Sequence, residues 1–175
     1  ISLVNAQSYT LTDDDVIVTN GVIESCSYDF SIKNIIIPDT LDGQVVTGIK
    51  STDNELDLTN GIFFDRGITN VQLPSKLLTI GHNAFAKNKI ENLIIPDSVI
   101  AIGFQSFAYN SLTNINIPSS IITLWGFTFA FNNLSNVDFE ENSNIVAIGA
   151  YSFSSNSNLF AIKLPTQSSS FFKSY

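Results

Sequence analysis

"LTNINIPSSI", Leu112–Ile121, sets a proline directly behind a strand-like alternation. In an extended segment Ile115 and Ile117 point one way and Asn114 and Asn116 the other. Proline cannot donate to a strand ladder, so it does not belong inside such a run. The same arrangement stands 22 residues upstream as "IENLIIPDSV" and 22 before that as "ITNVQLPSKL". The proline therefore recurs, and its recurrence decides the fold.

Aligned on it, the chain gives "IKNIIIP" to Pro38, "ITNVQLP" to Pro74, "IENLIIP" to Pro96 and "LTNINIP" to Pro118. "LSNVDFE" to Glu140 and "LFAIKLP" to Pro165 continue the series. Each copy is apolar six, three and one positions before the proline or its replacement. A second half follows, "LLTIGHNAF" to Phe85, "VIAIGFQSF" to Phe107, "IITLWGFTF" to Phe129 and "IVAIGAYSF" to Phe153. Phe63, Phe85, Phe107 and Phe129 keep the step of 22, which becomes 24 at Phe153.

Self-similarity at this period means a solenoid. One turn cannot cover its own apolar positions; stacked turns can, each residue lying on its counterpart. At about 1.5–3 kcal/mol per fully buried large side chain, these positions offset much of the ordering entropy. The strands should form a parallel ladder. The proline then marks the corner where pairing ends, with φ fixed near −65°. The glycines after Ile80, Ile102 and Ile148 are expected to make a tight bend. Asn88, Asn110, Asn132 and Asn156, three residues after each Phe, are expected in left-handed turns, bonding turn backbone.

These residues resemble the BspA-like class of bacterial leucine-rich repeat proteins, and "LIIPDSVIAIGFQSFAYN" is close to a consensus copy. The resemblance covers residues 32–165, read as six repeats. It implies a right-handed leucine-rich-repeat solenoid, related to the α/β horseshoe but β-rich. Short parallel strands would form one sheet, with short return strands or 3-10 segments opposite. It also implies a surface-exposed protein of binding or adhesion.

Residues 7–31 read as an N-terminal cap, because "VIVTNGVIES" fits a hairpin with an Asn20-Gly21 type I′ turn. The first repeat carries a long insertion at 42–62. Glu140 replaces the proline, and Trp125 takes a glycine position. Residues 1–6 read as the tail of a signal peptide, with Val4 and Ala6 as small residues before a cleavage point, or else as a plain first strand. The first reading makes the protein secreted or surface-exposed. No C-terminal cap is visible in 166–175, so the last repeat is expected to meet a further domain or another copy.

Charge and composition narrow the function. The net charge is −8, with 11 of 16 acidic residues before residue 70. That excludes nucleic acid as a partner and docking on anionic lipid. No apolar run is long enough for membrane insertion. The single Cys26 permits no internal disulfide. Catalytic signals are absent: His82 is the only histidine, no phosphate loop or nucleophile elbow occurs, and no cofactor is indicated. The expected protein is not an enzyme. Two acidic clusters are weak calcium candidates, Asp13, Asp14 and Asp15 in one, Asp53, Glu55 and Asp57 in the other. The second lacks the glycine and terminal glutamate of an EF-hand loop.

The outward positions of the strands are the candidate site. Asn34, Asn70, Asn92, Asn114 and Asn136 form one column; Ile36, Gln72, Ile94, Asn116, Asp138 and Lys163 form the next. Stacked asparagines can satisfy one another, or the face can read a protein partner. A glycan ranks second, because no aromatic platform shares these columns. Phe64, Tyr109 and Phe131 are alternative contacts.

Overall fold

A computed structural model describes residues 7–51 and 60–165. The chain winds as a solenoid of about six turns with almost no helix. One face carries Asn34–Ile36, Asn70–Gln72, Asn114–Ile117, Asn136–Phe139 and Ala161–Lys163, all parallel to their neighbours. The opposite, return face is itself a seven-stranded sheet. Its parallel rungs include Gly48–Ile49, Thr79–Ile80, Ala101–Ile102, Thr123–Leu124 and Ala147–Ile148. The alternation read from "NINI" is realised: Ile115 and Ile117 are buried, Asn114 and Asn116 exposed.

The core is a column of rings. Phe63, Phe85, Phe107, Phe129 and Phe153 stack nearly parallel, with centroids 4.9, 5.3, 5.8 and 5.8 Å apart. Offset stacking adds about 0.5–1.5 kcal/mol per pair to the burial term. On this third side the turns are linked by backbone bonds running one way, Phe85 N–H to Ser106 O at 2.8 Å and Phe107 N–H to Thr128 O at 3.0 Å.

The N-terminal region closes the first turn in two ways. The hairpin of Val16–Thr19 and Val22–Cys26 turns at Asn20 and Gly21, with φ of 52° and 77°, and joins the return sheet. Ser8–Thr10 adds a rung to the other face by pairing with Asn34–Ile36. This rung has no proline behind it, so the repeat pattern does not announce it; Tyr9, in register with Ile35 and packed against the core, and the buried Leu11 are its inward residues.

Three expectations need correction. The candidate face is two three-stranded blocks, not one sheet. On the return side, strands are the form adopted of the two expected, and the 3-10 turn among the described residues is Asp13–Asp15, in the cap. The glycines serve close approach rather than a bend: a Cβ on Gly81 would lie 2.2 Å from Lys50 O, and one on Gly149 2.3 Å from Gly126 N. The left-handed residues are the ones before the asparagines, Lys87, Tyr109, Phe131 and Ser155, with φ of 55–57°.

The asparagines themselves are buried staples. Asn110 Oδ1 accepts the Ile90 N–H at 3.0 Å, and its Nδ2 donates to Phe85 O at 2.9 Å and Phe107 O at 3.1 Å. Asn88, Asn132 and Asn156 repeat this between their own turns. A small hairpin of Thr40–Leu41 and Gln44–Val45 spans the start of the insertion, and within it Gly48–Ile49 is already the return strand. Residues 1–6, 52–59 and 166–175 lie outside the description, and with them the signal-peptide reading, the Asp53, Glu55 and Asp57 cluster and the C-terminal tail.

Candidate binding face

Backbone register brings the predicted columns together in two pieces. In the first block Asn34 lies beside Asn70 and Ile36 beside Gln72. Asn70 Nδ2 donates to Asn34 Oδ1 at 2.9 Å. In the second, Asn114 lies beside Asn136 and Asn116 beside Asp138. Asn136 Nδ2 donates to Asn114 Oδ1 at 3.3 Å, and Ser135 Oγ reaches the same oxygen at 3.1 Å. Much of the amide capacity is thus used within the face.

Glu140 explains its own departure from the repeat. Its carboxylate accepts from Asn116 Nδ2 and from the Ser119 N–H, both at 3.0 Å, tying its corner to the preceding turn. Asp39 does the same earlier in the chain, taking the Ser75 N–H and hydroxyl. The Ser75 N–H holds its carboxyl below the usual carboxylate range, the Ser75 hydroxyl adding to this. Lys163 lies beside Asp138 in register but pairs with Glu141 at 3.6 Å.

The blocks part at Asn92–Ile95. This segment has no strand pairing to either neighbour, although the corner before it is held by the Lys89 N–H to Ile68 O bond at 2.8 Å. The inward side chains flanking the break are the least sealed of their row before the last turn, Val71 at 5%, Leu73 at 7%, Leu93 at 8% and Ile95 at 5% exposed. A cleft of about 420 Å³ opens there, lined by Asn70, Gln72, Asn92 and Ile94 among others. Ile94 is 85% exposed, far more than any other large apolar side chain of the described strand faces away from the last turn. Among the candidate residues, Asn92 and Ile94 are the ones that no neighbouring turn engages through the ladder.

The other candidates are structural. Asp15 accepts from Tyr9 Oη at 2.9 Å and from Thr12 N–H and Oγ1 at 2.8 Å each. Partial burial pushes its carboxyl up, and the Thr12 and Tyr9 bonds together bring it below the usual range. Asp13 accepts the Asp42 N–H at 2.6 Å. Among the described residues no group of three His, Cys, Asp or Glu is placed to hold a metal. Cys26 is half-buried, and burial pushes its thiol pKa up, away from reactivity. His82 Nδ1 accepts the Phe104 N–H at 2.7 Å, a bond to the following turn. Tyr109 and Phe131 stack on each other at 4.2 Å, so each ring covers a face of the other. Ser106, Thr128 and Ser152, outside the candidate columns, are buried hydroxyls that bond carbonyls of their own and the preceding turn. Their signal was in the sequence: a small hydroxyl residue directly before Phe in three successive turns.

Residues 56–175 match the profile described as BspA type leucine rich repeat region (6 copies). The chain belongs to the BspA-type leucine-rich repeat family. Comparison with curated proteins and with solved structures returned no match. BspA-type repeats are typically surface and binding repeats, and leucine-rich repeats generally serve as non-enzymatic scaffolds for protein interaction. Among the described residues no helix is long and apolar enough to cross a membrane.

Proposed function

We propose that this protein is an exported binding or adhesion module that captures a protein partner on the amide face, centred on the cleft beside Ile94. One observation carries this reading: a large aliphatic side chain stands 85% exposed where the ladder opens. A water-exposed isoleucine gains about 1.5–3 kcal/mol when a partner covers it, and the amides of Asn70, Gln72 and Asn92 around it supply direction. The rigid stack keeps these groups fixed, which lowers the entropic cost of association.

A photo-crosslinking amino acid at position 94, displayed against the native surface proteins, identifies the partner. Ile94→Asp is then expected to weaken capture of that partner at least about tenfold, a loss near 1.4 kcal/mol. Unchanged capture by Ile94→Asp would remove the cleft from the binding site.

A second reading, association through the last repeat, is favoured by Ile162. It is 45% exposed, whereas its counterparts Ile35, Ile115 and Val137 are buried. On this reading the final described turn stacks on a further domain or another copy. Sedimentation at rising concentration tests self-association, and a monomer throughout would exclude the second copy.

A further inference from the structure

The return sheet carries an outward column of its own. Leu78, Ile100, Ile122 and Val146 each stand just before a return strand, one per turn, and all four are exposed. The register that stacks Thr79, Ala101, Thr123 and Ala147 stacks this column beside them. The residues directly before it, Leu77, Val99, Ile121 and Ile145, are buried and already fill the core at this corner. The second aliphatic residue in each turn therefore does nothing for the stack itself. In the turn before Leu78 the equivalent place is held by Thr47, so the apolar run has a defined start.

The surroundings of the column are short and uncharged. Its neighbour column is threonine and alanine, and no charged residue occurs between Asp97 and Asp138. Trp125 stands where the other turns have Gly81, Gly103 and Gly149; it turns outward at the end of Thr123–Leu124 and meets the His82 ring edge-on at 5.1 Å. Leu78, Ile100 and Ile122 are 39–42% exposed, Trp125 43% and Val146 69%. Taking roughly 150–200 Å² for a whole large side chain, these leave about 400 Å² of apolar surface in one strip. A contiguous patch of that size marks a contact surface.

Two properties point to a second copy as what covers it. A copy presents the same column at the same rung spacing of about 4.8 Å, so the side chains of one can seat between those of the other. With the threonines and alanines alongside, the pair buries about 1,100 Å² in total, which clears the roughly 1,000 Å² a specific interface needs. Charge then sets the orientation. Residues 1–69 hold 11 acidic residues against three basic ones, the whole net charge of −8, whereas residues 70–175 hold five of each. Parallel pairing would set two acidic ends side by side; antiparallel pairing sets each acidic end beside a neutral one.

We infer that two copies of this chain pair through the return face, antiparallel, about a two-fold axis between the Ile100 and Ile122 rungs. Ile100 of each copy then meets Ile122 of the other, and Leu78 of each meets Val146 of the other. This contact rests neither on the Ile94 cleft nor on the open last turn.

Sedimentation equilibrium of the full chain, from micromolar to submillimolar concentration, is expected to show a reversible dimer. Ile122→Glu is expected to weaken it at least about tenfold with an unchanged circular dichroism spectrum. Leu78→Glu is expected to do the same and serves if Ile122→Glu fails to fold. Adding Val146→Lys to Leu78→Glu is expected to recover about threefold or more of the loss. Positions 78 and 146 lie at opposite ends of the column in one chain, and only antiparallel pairing brings them together. Ile162→Glu, in the last turn, is expected to leave the dimer unchanged. A monomer throughout, which would leave the column to a different protein, overturns the inference. So does a dimer that Ile162→Glu breaks and the return-face variants do not, or a Leu78→Glu loss that Val146→Lys does not reduce.

Discussion

Two sets of asparagines recur in this chain, and their energetic roles should differ sharply. Asn110→Ala removes a side chain that serves three buried backbone groups, the Ile90 N–H and the carbonyls of Phe85 and Phe107. The Ile90 N–H has no other backbone partner among the described residues, whereas the Phe85 carbonyl keeps Asn88 Nδ2 at 3.0 Å and the Phe107 carbonyl keeps Asn132 Nδ2 at 2.9 Å. One buried N–H left unsatisfied costs about 1–3 kcal/mol, and the loss of one of two bonds at each carbonyl brings the expected deficit to about 2–4 kcal/mol. Against a typical domain stability of about 5–15 kcal/mol this is a large share. Asn114→Ala removes bonds to Asn136 and Ser135 on an exposed face, where water substitutes, and should cost under about 1 kcal/mol. Urea unfolding, followed by circular dichroism at equal protein concentration, measures both. Asn110→Asp sharpens the comparison: it keeps the acceptor but sets a carboxylate oxygen against two carbonyls, so its deficit should shrink as the pH falls and the carboxyl protonates. If Asn110→Ala unfolds no earlier than Asn114→Ala, the buried amides are not the staples inferred from the geometry.

Acid should loosen the corner held by Asp39. Its folded pKa is depressed, so its contribution is present above the unfolded value near 4 and is lost as the pH falls through the lower folded value. Asp39→Asn should therefore be less stable than the parent at neutral pH, with the gap closing in acid; thermal melts across that range would show it, and a pH-independent gap would contradict it. Gly81→Ala should destabilise by about 1–3 kcal/mol or more, because its Cβ would fall against Lys50 O at 2.2 Å in rigid backbone. The midpoint of denaturant unfolding checks this, and a neutral effect would mean that the turns can separate there.

The sequence by itself determined the winding. A period of 22, set by the proline and by Phe63, Phe85, Phe107 and Phe129, states which residues lie inside, because each turn must hide its apolar positions on the next. It determined the columns of outward residues for the same reason. It did not determine which of those residues are used up. Asn88 and Asn92 are the same amino acid four positions apart, yet one is buried in a bonded staple and the other stands exposed beside a cleft. That difference arises between turns, from partners some 20 residues away, as does the gap in the ladder at Asn92–Ile95. The meeting of Trp125 with His82 is likewise set by stacking, since 43 positions separate them along the chain. Repetition writes the inside of a solenoid into its sequence, because every turn must satisfy the same neighbours. The site sits where one turn departs from the others, and the effect of a departure depends on what the adjacent turns place beside it.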